Sequence, residues 1–373
     1  MRPANRQATD VTTATSFDKD RAKAFLTQMV SVMNGGAMAL MCSLGHRTGL
    51  FDVMAGMDPS SAAAIATAAG LHERPVREWL NAVTVGGIVQ HDPEAGTYQL
   101  PAEHAGLLTR AAGTLNLSNG LQFIGQMGKV EDEVVESFRT GQGVPYTSYD
   151  SFHRLMAETS AQRFDTGLLQ NVVPQIPGLA DGLAAGIDFA DIGCGSGHAL
   201  NILGQAYPHS RFHGYDISEE AIGRGRAEAA ELDNTNVTFH VVDTAKLAEV
   251  ERFDMMASFD AIHDQARPDP VFASIFRALR PGGRYLCVEP NASTHVHNNH
   301  GRSHAPFLYA VSTMHCMQVS LAADQGEGVG AAWGREAIEE RLGTAGFVNL
   351  ERANAPHDRT NDYWLSIKPP VLG

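Results

Sequence analysis

The sequence predicts an α/β protein in two folded parts: a helical domain with a small hairpin at residues 1–110, and a doubly wound domain at 184–373. A helical connector at 111–183 joins them. Three observations carry this prediction. The 373 residues exceed one ordinary domain and suit two. From Gly186 onward, apolar runs of strand length alternate with helical segments, the pattern of a parallel sheet covered on both faces. The first 110 residues give instead helix, turn, helix and hairpin.

The opening MRPANRQATDVTTATSFDKD is polar and lacks the apolar core of a secretory signal, so it reads as a frayed tail and implies a cytoplasmic location. No run of about 18 or more apolar residues is found, so no bilayer span is expected. The segment FLTQMVSVMNGGAMALMCSLGHRTGLFDVM is apolar on too many faces for a lone surface helix. It is expected to bury itself against a second copy in a symmetric homodimer. Residues 60–87 then hold two helices around a GLHE turn, and VGGIVQHDPEAGTYQL reads as two short strands turning at DPEAG. Such a winged helix binds DNA in some proteins and serves as a dimer platform in others. Here residues 1–110 hold nine Lys and Arg against ten Asp and Glu, and the second helix sets Arg74 and Arg77 against Glu73 and Glu78. With a net charge of −14 for the whole chain, nucleic acid is not the expected partner. The four cysteines are far apart and show no CxxC spacing, which fits reduced thiols.

The connector is helical with breaks at GQGVPYTSYDSF and at Pro174 and Pro177. The second domain runs IDFADI, a helix from Gly197, RFHGYDI, the helix SEEAIGRGRAEAAEL, NVTFHVVD, FDMMASF, a helix at DPVFASIFRALR, and GGRYLCVEP. GFVNLERA and PHDRTNDYWLSI read as the last two strands, adjacent in the sheet. Ligands of such sheets sit at the carboxyl ends of the strands. There the stretch FADIGCGSGHAL places three glycines at alternate positions between a strand and a helix. A dinucleotide fingerprint requires a small third residue for helix packing, and His198 or Leu200 stands there instead.

The Asp191-x-Gly193-x-Gly195-x-Gly197 spacing resembles motif I of the class I S-adenosylmethionine-dependent methyltransferases, which have a Rossmann-like domain. Its companions fall in order. Asp216, ending the second strand, matches the acidic residue that accepts the ribose hydroxyls, for which an acceptor-only carboxylate is suited. Asp243, ending the third, matches the contact to the adenine amino group, and RALRPGGRYLCVEP matches the signature of the fifth. The resemblance also puts Ile217, Thr244 and Phe259 beside the cofactor. His263 and Asp264 come after the fourth strand, as in the winged-helix, dimeric small-molecule O-methyltransferases of plant and bacterial natural-product chemistry. The resemblance implies that His263 takes the proton of the acceptor hydroxyl. It departs at Gln265, where that group often carries Trp.

A second reading competes for His263. The long segment after the fifth strand contains His295, His297, His300 and His304 in a polar run, then His315 inside an apolar helical pattern starting near Phe307. That arrangement resembles the metal-dependent C-methyltransferases of α-keto acids, and implies an iron or zinc ion on His263 and His315 acting as a Lewis acid. Arg139, Arg154 and Arg163 are the connector's candidates for clamping a carboxylate. A third reading is a cofactor-sensing transcriptional regulator on the same fold. Tyr146, Tyr149, Phe152, Phe307, Tyr309, Met314 and Met317 are the expected walls of an acceptor pocket. The base reading is preferred, because the His-Asp match is specific and His315 rests on placement alone.

Overall fold

The computed structural model describes residues 17–149, 152–353, 358 and 360–371; most of the expected tail lies outside them. Helix α1 (Lys19–Arg47) starts at a cap, with Asp18 accepting the backbone N–H groups of Asp20 and Arg21. Helices α2 (Leu50–Ala55), α3 (Ala62–Ala69) and α4 (Glu73–Val85) come next, then the antiparallel hairpin of β1 (Gln90–Asp92) and β2 (Thr97–Gln99). This is the winged helix expected from the pattern. Val76, Trp79, Leu80 and Val83 recur at helical spacing on α4 and bury one face of it, where Trp79 meets Phe51 edge-on at 5.3 Å. On the outer face Arg74 pairs with Glu78 at 2.5 Å and Arg77 with Glu73 at 3.2 Å, leaving no positive excess on α4 for a phosphate backbone.

Helix α1 is 29 residues long and, by length and composition alone, apolar enough to cross a membrane. Counting uninterrupted apolar residues misses it, because polar residues are scattered through an apolar average. Its second half belongs to the domain core: Ala39, Cys42 and His46 are buried, and a Cβ on Gly45 would meet the Phe51 and Trp79 rings at 2.6 and 2.7 Å. Its first half leaves Phe25, Leu26, Val32 and Met33 each more than half exposed. Between α1 and α4 lies a groove of about 780 Å³ lined by Met38, Met41, Trp79 and Val85.

The second domain is a seven-stranded sheet of β3 (Asp188–Ile192), β4 (Arg211–Asp216), β5 (Val237–Val241), β6 (Phe253–Phe259), β7 (Leu279–Pro290), β8 (Val348–Ala353) and β9 (Asn361–Ile367). The spatial order is β5-β4-β3-β6-β7-β9-β8. The five strands from β3 to β7 run parallel, and β9 runs antiparallel between β7 and β8. One face packs Leu183, Leu200, Phe212 and Ile222, and the other Ile192, Phe272, Ile275 and Leu342. Strand order reverses between β3 and β6, so the crevice for a ligand opens at their carboxyl ends.

In the connector, the helix Phe152–Gly167 continues through a π turn, Leu168–Val172, into Val173–Gln175. Pro174 sits in the last turn of this continuous helix, which ends one residue later at Gln175. The connector is fastened to the sheet domain by His198, whose Nδ1 meets Glu228 at 2.5 Å and whose Nε2 meets Asp165 of the connector at 2.8 Å. The Glu228 carboxylate first, then Asp165, outweigh burial and raise the imidazole pKa to about 9. A folded-state pKa above the unfolded one gives stabilisation that is whole below about pH 6.5 and lost as pH rises through 9. His198→Ala should therefore cost on the order of 1 kcal/mol at pH 6, allowing for screening of the open carboxylates, and almost nothing at pH 10. Thermal unfolding at the two pH values checks this; equal losses would contradict it.

Candidate active site

The glycine turn after β3 has φ of 70°, 55° and 64° at Gly193, Gly195 and Gly197, all left-handed. Two of these glycines are also required by space. A Cβ on Gly193 would meet Ala261 Cβ at 2.5 Å, and one on Gly197 would collide with the Phe239 ring. Gly195 is different: nothing lies within 4 Å of its Cβ position, so bare backbone faces the open rim. Asp216 holds the turn from the end of β4, accepting Gly195 N–H on Oδ2 and Ser218 N–H on Oδ1, both at 2.8 Å. Asp191, near the end of β3, is 3% exposed, and its Oδ1 has no hydrogen-bond partner among the described residues. Burial first, and then the Asp216 charge, hold its carboxyl well above the usual range.

An unpartnered buried carboxylate oxygen normally marks a missing donor. Here that oxygen, the bare Gly195 backbone and the acceptor oxygens of Asp216 fit a molecule bearing an ammonium group and a vicinal diol, as S-adenosylmethionine does. Ile217 is 72% exposed beside Asp216. Asp243 caps the turn Thr244–Lys246, accepting Ala245 N–H at 3.1 Å and pairing with Lys246 at 2.9 Å. Thr244 is buried and donates to Gln265 Oε1 at 3.1 Å, while Gln265 Nε2 donates to Ala261 O at 3.1 Å. The glutamine that replaces Trp thus ties the turn after β5 to the turn after β6. Phe259, the last residue of β6, packs edge-on against Phe164 of the connector at 5.1 Å. All of these positions lie along one rim of the sheet.

His263 stands on the next part of that rim, 4% exposed. Its Nδ1 meets Glu289 Oε2 at 2.6 Å, and its Nε2 lies 3.4 Å from Asp264 Oδ1. Glu289 is fully buried near the end of β7 and also accepts Ile262 N–H at 2.8 Å and Trp333 Nε1–H at 3.1 Å. Burial pulls the His263 pKa down, but the Glu289 and Asp264 carboxylates overcome it and hold the imidazole well above its ordinary value. Sequence reasoning gave Glu289 no role. The signal was present: an acidic residue ends the apolar strand run YLCVEP, where a buried charge requires partners.

His315 does not belong to the group of ligand-type side chains that gathers around His263. The ligand-type atoms that gather within 4.8 Å of one another are those of His263, Asp264 and Cys316. His315 stacks instead on Phe152 at 3.8 Å, with Tyr149 edge-on at 4.6 Å and Tyr146 at 5.5 Å. His315 lies inside a π turn, Ser312–Cys316. Of the aromatic residues expected as pocket walls, several cluster here, with Tyr149 O–H donating to Met314 O at 2.6 Å and Tyr146 O–H to Asp264 Oδ2 at 3.3 Å, whereas the Tyr309 hydroxyl oxygen accepts from Asn299 Nδ2 at 2.9 Å. Phe307 joins the cluster through Phe123, 6.3 Å away edge-on. Of the proposed clamps, Arg163 is taken by Asp260 at 2.5 Å and Asp358 at 3.8 Å, and Arg139 by Glu136 at 3.0 Å.

Residues 36–110 match the Rv2258c-like winged HTH domain, and residues 183–333 match a methyltransferase domain. The fold is that of solved methyltransferases. The human N-acetylserotonin methyltransferase, solved with S-adenosylmethionine, superposes with a TM-score of 0.67 over 95% of this chain and 99% of that one, at 17% identity. The biotin biosynthesis bifunctional protein BioHC of Teredinibacter turnerae is 31% identical over 136 residues, 34% of this chain and 24% of that protein. The malonyl-[acyl-carrier protein] O-methyltransferase of Hahella chejuensis is 33% identical over 101 residues, 27% of this chain and 35% of that protein. The match thus spans about a quarter to a third of these curated relatives' length.

If Asp191, Asp216 and the Gly195 backbone hold the cofactor, Asp216→Ala should weaken binding of S-adenosylhomocysteine by about 1.5–3 kcal/mol, the scale of hydrogen bonds to a charged group. Calorimetry with an unchanged affinity would refute the assignment.

Proposed function

We infer that the chain is an S-adenosylmethionine-dependent methyltransferase of a small hydroxyl-bearing acceptor, with His263 as general base and a homodimer as the working form. The single observation that carries this is the buried His263–Glu289 pair on the same rim as the Asp191–Asp216 turn. When bound, the cofactor supplies a methyl group already activated on a sulfonium, so the protein's task is to hold and deprotonate the acceptor.

Glu289 accepts the Nδ1 proton, which leaves Nε2 as the atom that exchanges a proton with the acceptor. Asp264 beside Nε2 stabilises the imidazolium that forms. The aromatic wall of Tyr146, Tyr149 and Phe152 excludes water and offers flat surfaces to the acceptor. A metal-assisted route through two histidines draws less support, because the ligand-type atoms grouped with His263 are those of Asp264 and Cys316 and not of His315. A DNA-binding regulator draws less still, since the arginines of α4 are spent on its own glutamates. The exposed apolar half of α1 and its groove with α4 support a second copy packed there.

His263→Ala should lower kcat by roughly 10²–10⁴-fold, with partial recovery at high pH where the acceptor ionises unaided. The rise of kcat/KM with pH should have its midpoint above the ordinary histidine value of about 6.5, and Glu289→Gln should move it to lower pH. A variant with full turnover, or a midpoint moving upward in Glu289→Gln, would refute the base assignment. Sedimentation should show a dimer at micromolar concentration that Met33→Glu converts to monomer; a wild-type monomer would remove the dimer reading.

A further inference from the structure

Just beyond the His263–Glu289 pair, the charges of Arg302, Arg335 and Arg352 all act on one carboxylate, that of Asp362. Two of these arginines also meet on an amide. Arg302 Nη2 donates to Asn291 Oδ1 at 2.5 Å, and Arg335 Nη2 donates to the same oxygen at 2.6 Å. Arg335 also reaches Asp362 Oδ2 at 3.1 Å, and Arg352 lies 3.9 Å from it. Glu336, the neighbour of Arg335 in the chain, is turned away onto Ser293 and Thr294. The group of three guanidiniums and Asp362 therefore keeps a positive excess in a protein whose net charge is −14. Arg335 Nε is buried with no hydrogen-bond partner among the described residues. A shared amide oxygen is a poor match for two guanidiniums, each of which presents a fork of donors suited to a carboxylate.

The position of this cluster ties it to the acceptor. Glu289 of β7 is paired with Asp362 of β9, so their side chains stand on one face of the sheet. Asn291 is two residues beyond Glu289, still hydrogen-bonded across to Thr360 O, and its side chain falls on that same face roughly 7 Å further out. The direction is outward past the carboxyl end of the strand, where acceptors of these sheets lie. Asn291, Arg302 and Arg335 are each partly accessible.

We propose that Arg302 and Arg335, set over Asn291, form an anion subsite that takes a carboxylate of the methyl acceptor, making the substrate class hydroxylated aromatic carboxylic acids. This rests on the methyltransferase assignment and on the aromatic wall beside His263. Arg302 and Arg335 orient the acceptor by gripping its carboxylate while its hydroxyl lies toward Nε2 of His263. None of the three arginines weighed from the sequence stands in this position.

The test is calorimetric titration of a set of hydroxybenzoates and hydroxynaphthoates, each beside its primary amide, into the intact protein saturated with S-adenosylhomocysteine. At least one acid should bind tenfold or more tightly than its amide. That preference should fall to about twofold in Arg302→Gln, a residue that donates to Asn291 and Asn299, and be retained in part by Arg302→Lys. Arg335→Gln should behave alike, with its melting temperature recorded because it also anchors β9. No acid outbinding its amide, or a preference that survives Arg302→Gln, overturns the proposal. Inorganic phosphate is titrated separately; if it binds through Arg302 while no acid does, the subsite serves a free oxyanion and the acceptor assignment falls. Failure of S-adenosylhomocysteine itself to bind would count against the methyltransferase assignment, and its retention with no acid preference against the subsite alone.

Discussion

The Glu289 carboxylate is the constraint on which the His263 end of the rim is built. A wholly buried carboxylate costs several kcal/mol unless its oxygens are satisfied. Three donors satisfy it: the Ile262 backbone after β6, the neighbouring His263 ring, and the Trp333 indole from a distant segment. Each is thereby fixed relative to β7. The turn that carries Ile262 and His263 begins at Asp260, whose left-handed φ of 51° is an unusual conformation for a residue other than glycine. Asp260 is held there by its backbone bond to Val288 and by its ion pair with Arg163 of the connector. The position of His263, the Arg163 contact of the connector and the end of β7 are therefore parts of one arrangement.

Carboxylates dominate the whole rim, and they divide by task. Asp191 and Asp216 meet at the glycine turn, and Glu289 and Asp264 flank the His263 imidazole, which is positive when protonated. Placing a histidine between two carboxylates raises its basicity, which suits proton removal from a hydroxyl more acidic than water. The thiol of Cys316 beside the ring is pushed up to about 12 by burial and by Asp264, so it stays protonated and leaves the imidazole as the group that titrates.

How far these features were legible in the sequence depends on how local each one is. The glycine turn, Asp216, Asp243 and the His263-Asp264 pair are short motifs attached to strand ends, so the family resemblance together with the strand pattern placed them on one rim. The winged helix was equally local. Glu289 needed the pairing of β7 with distant segments, and its only trace was an acidic residue ending an apolar strand run. Arg302 and Arg335 were invisible because β9 is inserted between β7 and β8, a long-range choice that brings Asp362 beside Glu289.

The most direct measurement of the central claim is the nitrogen-15 NMR titration of the His263 side chain in the intact protein with S-adenosylhomocysteine bound. The account predicts a neutral form protonated on Nδ1, and an imidazole pKa above about 6.5 that falls when Glu289 is replaced by Gln. A neutral form protonated on Nε2, or a pKa indifferent to Glu289→Gln, would contradict it.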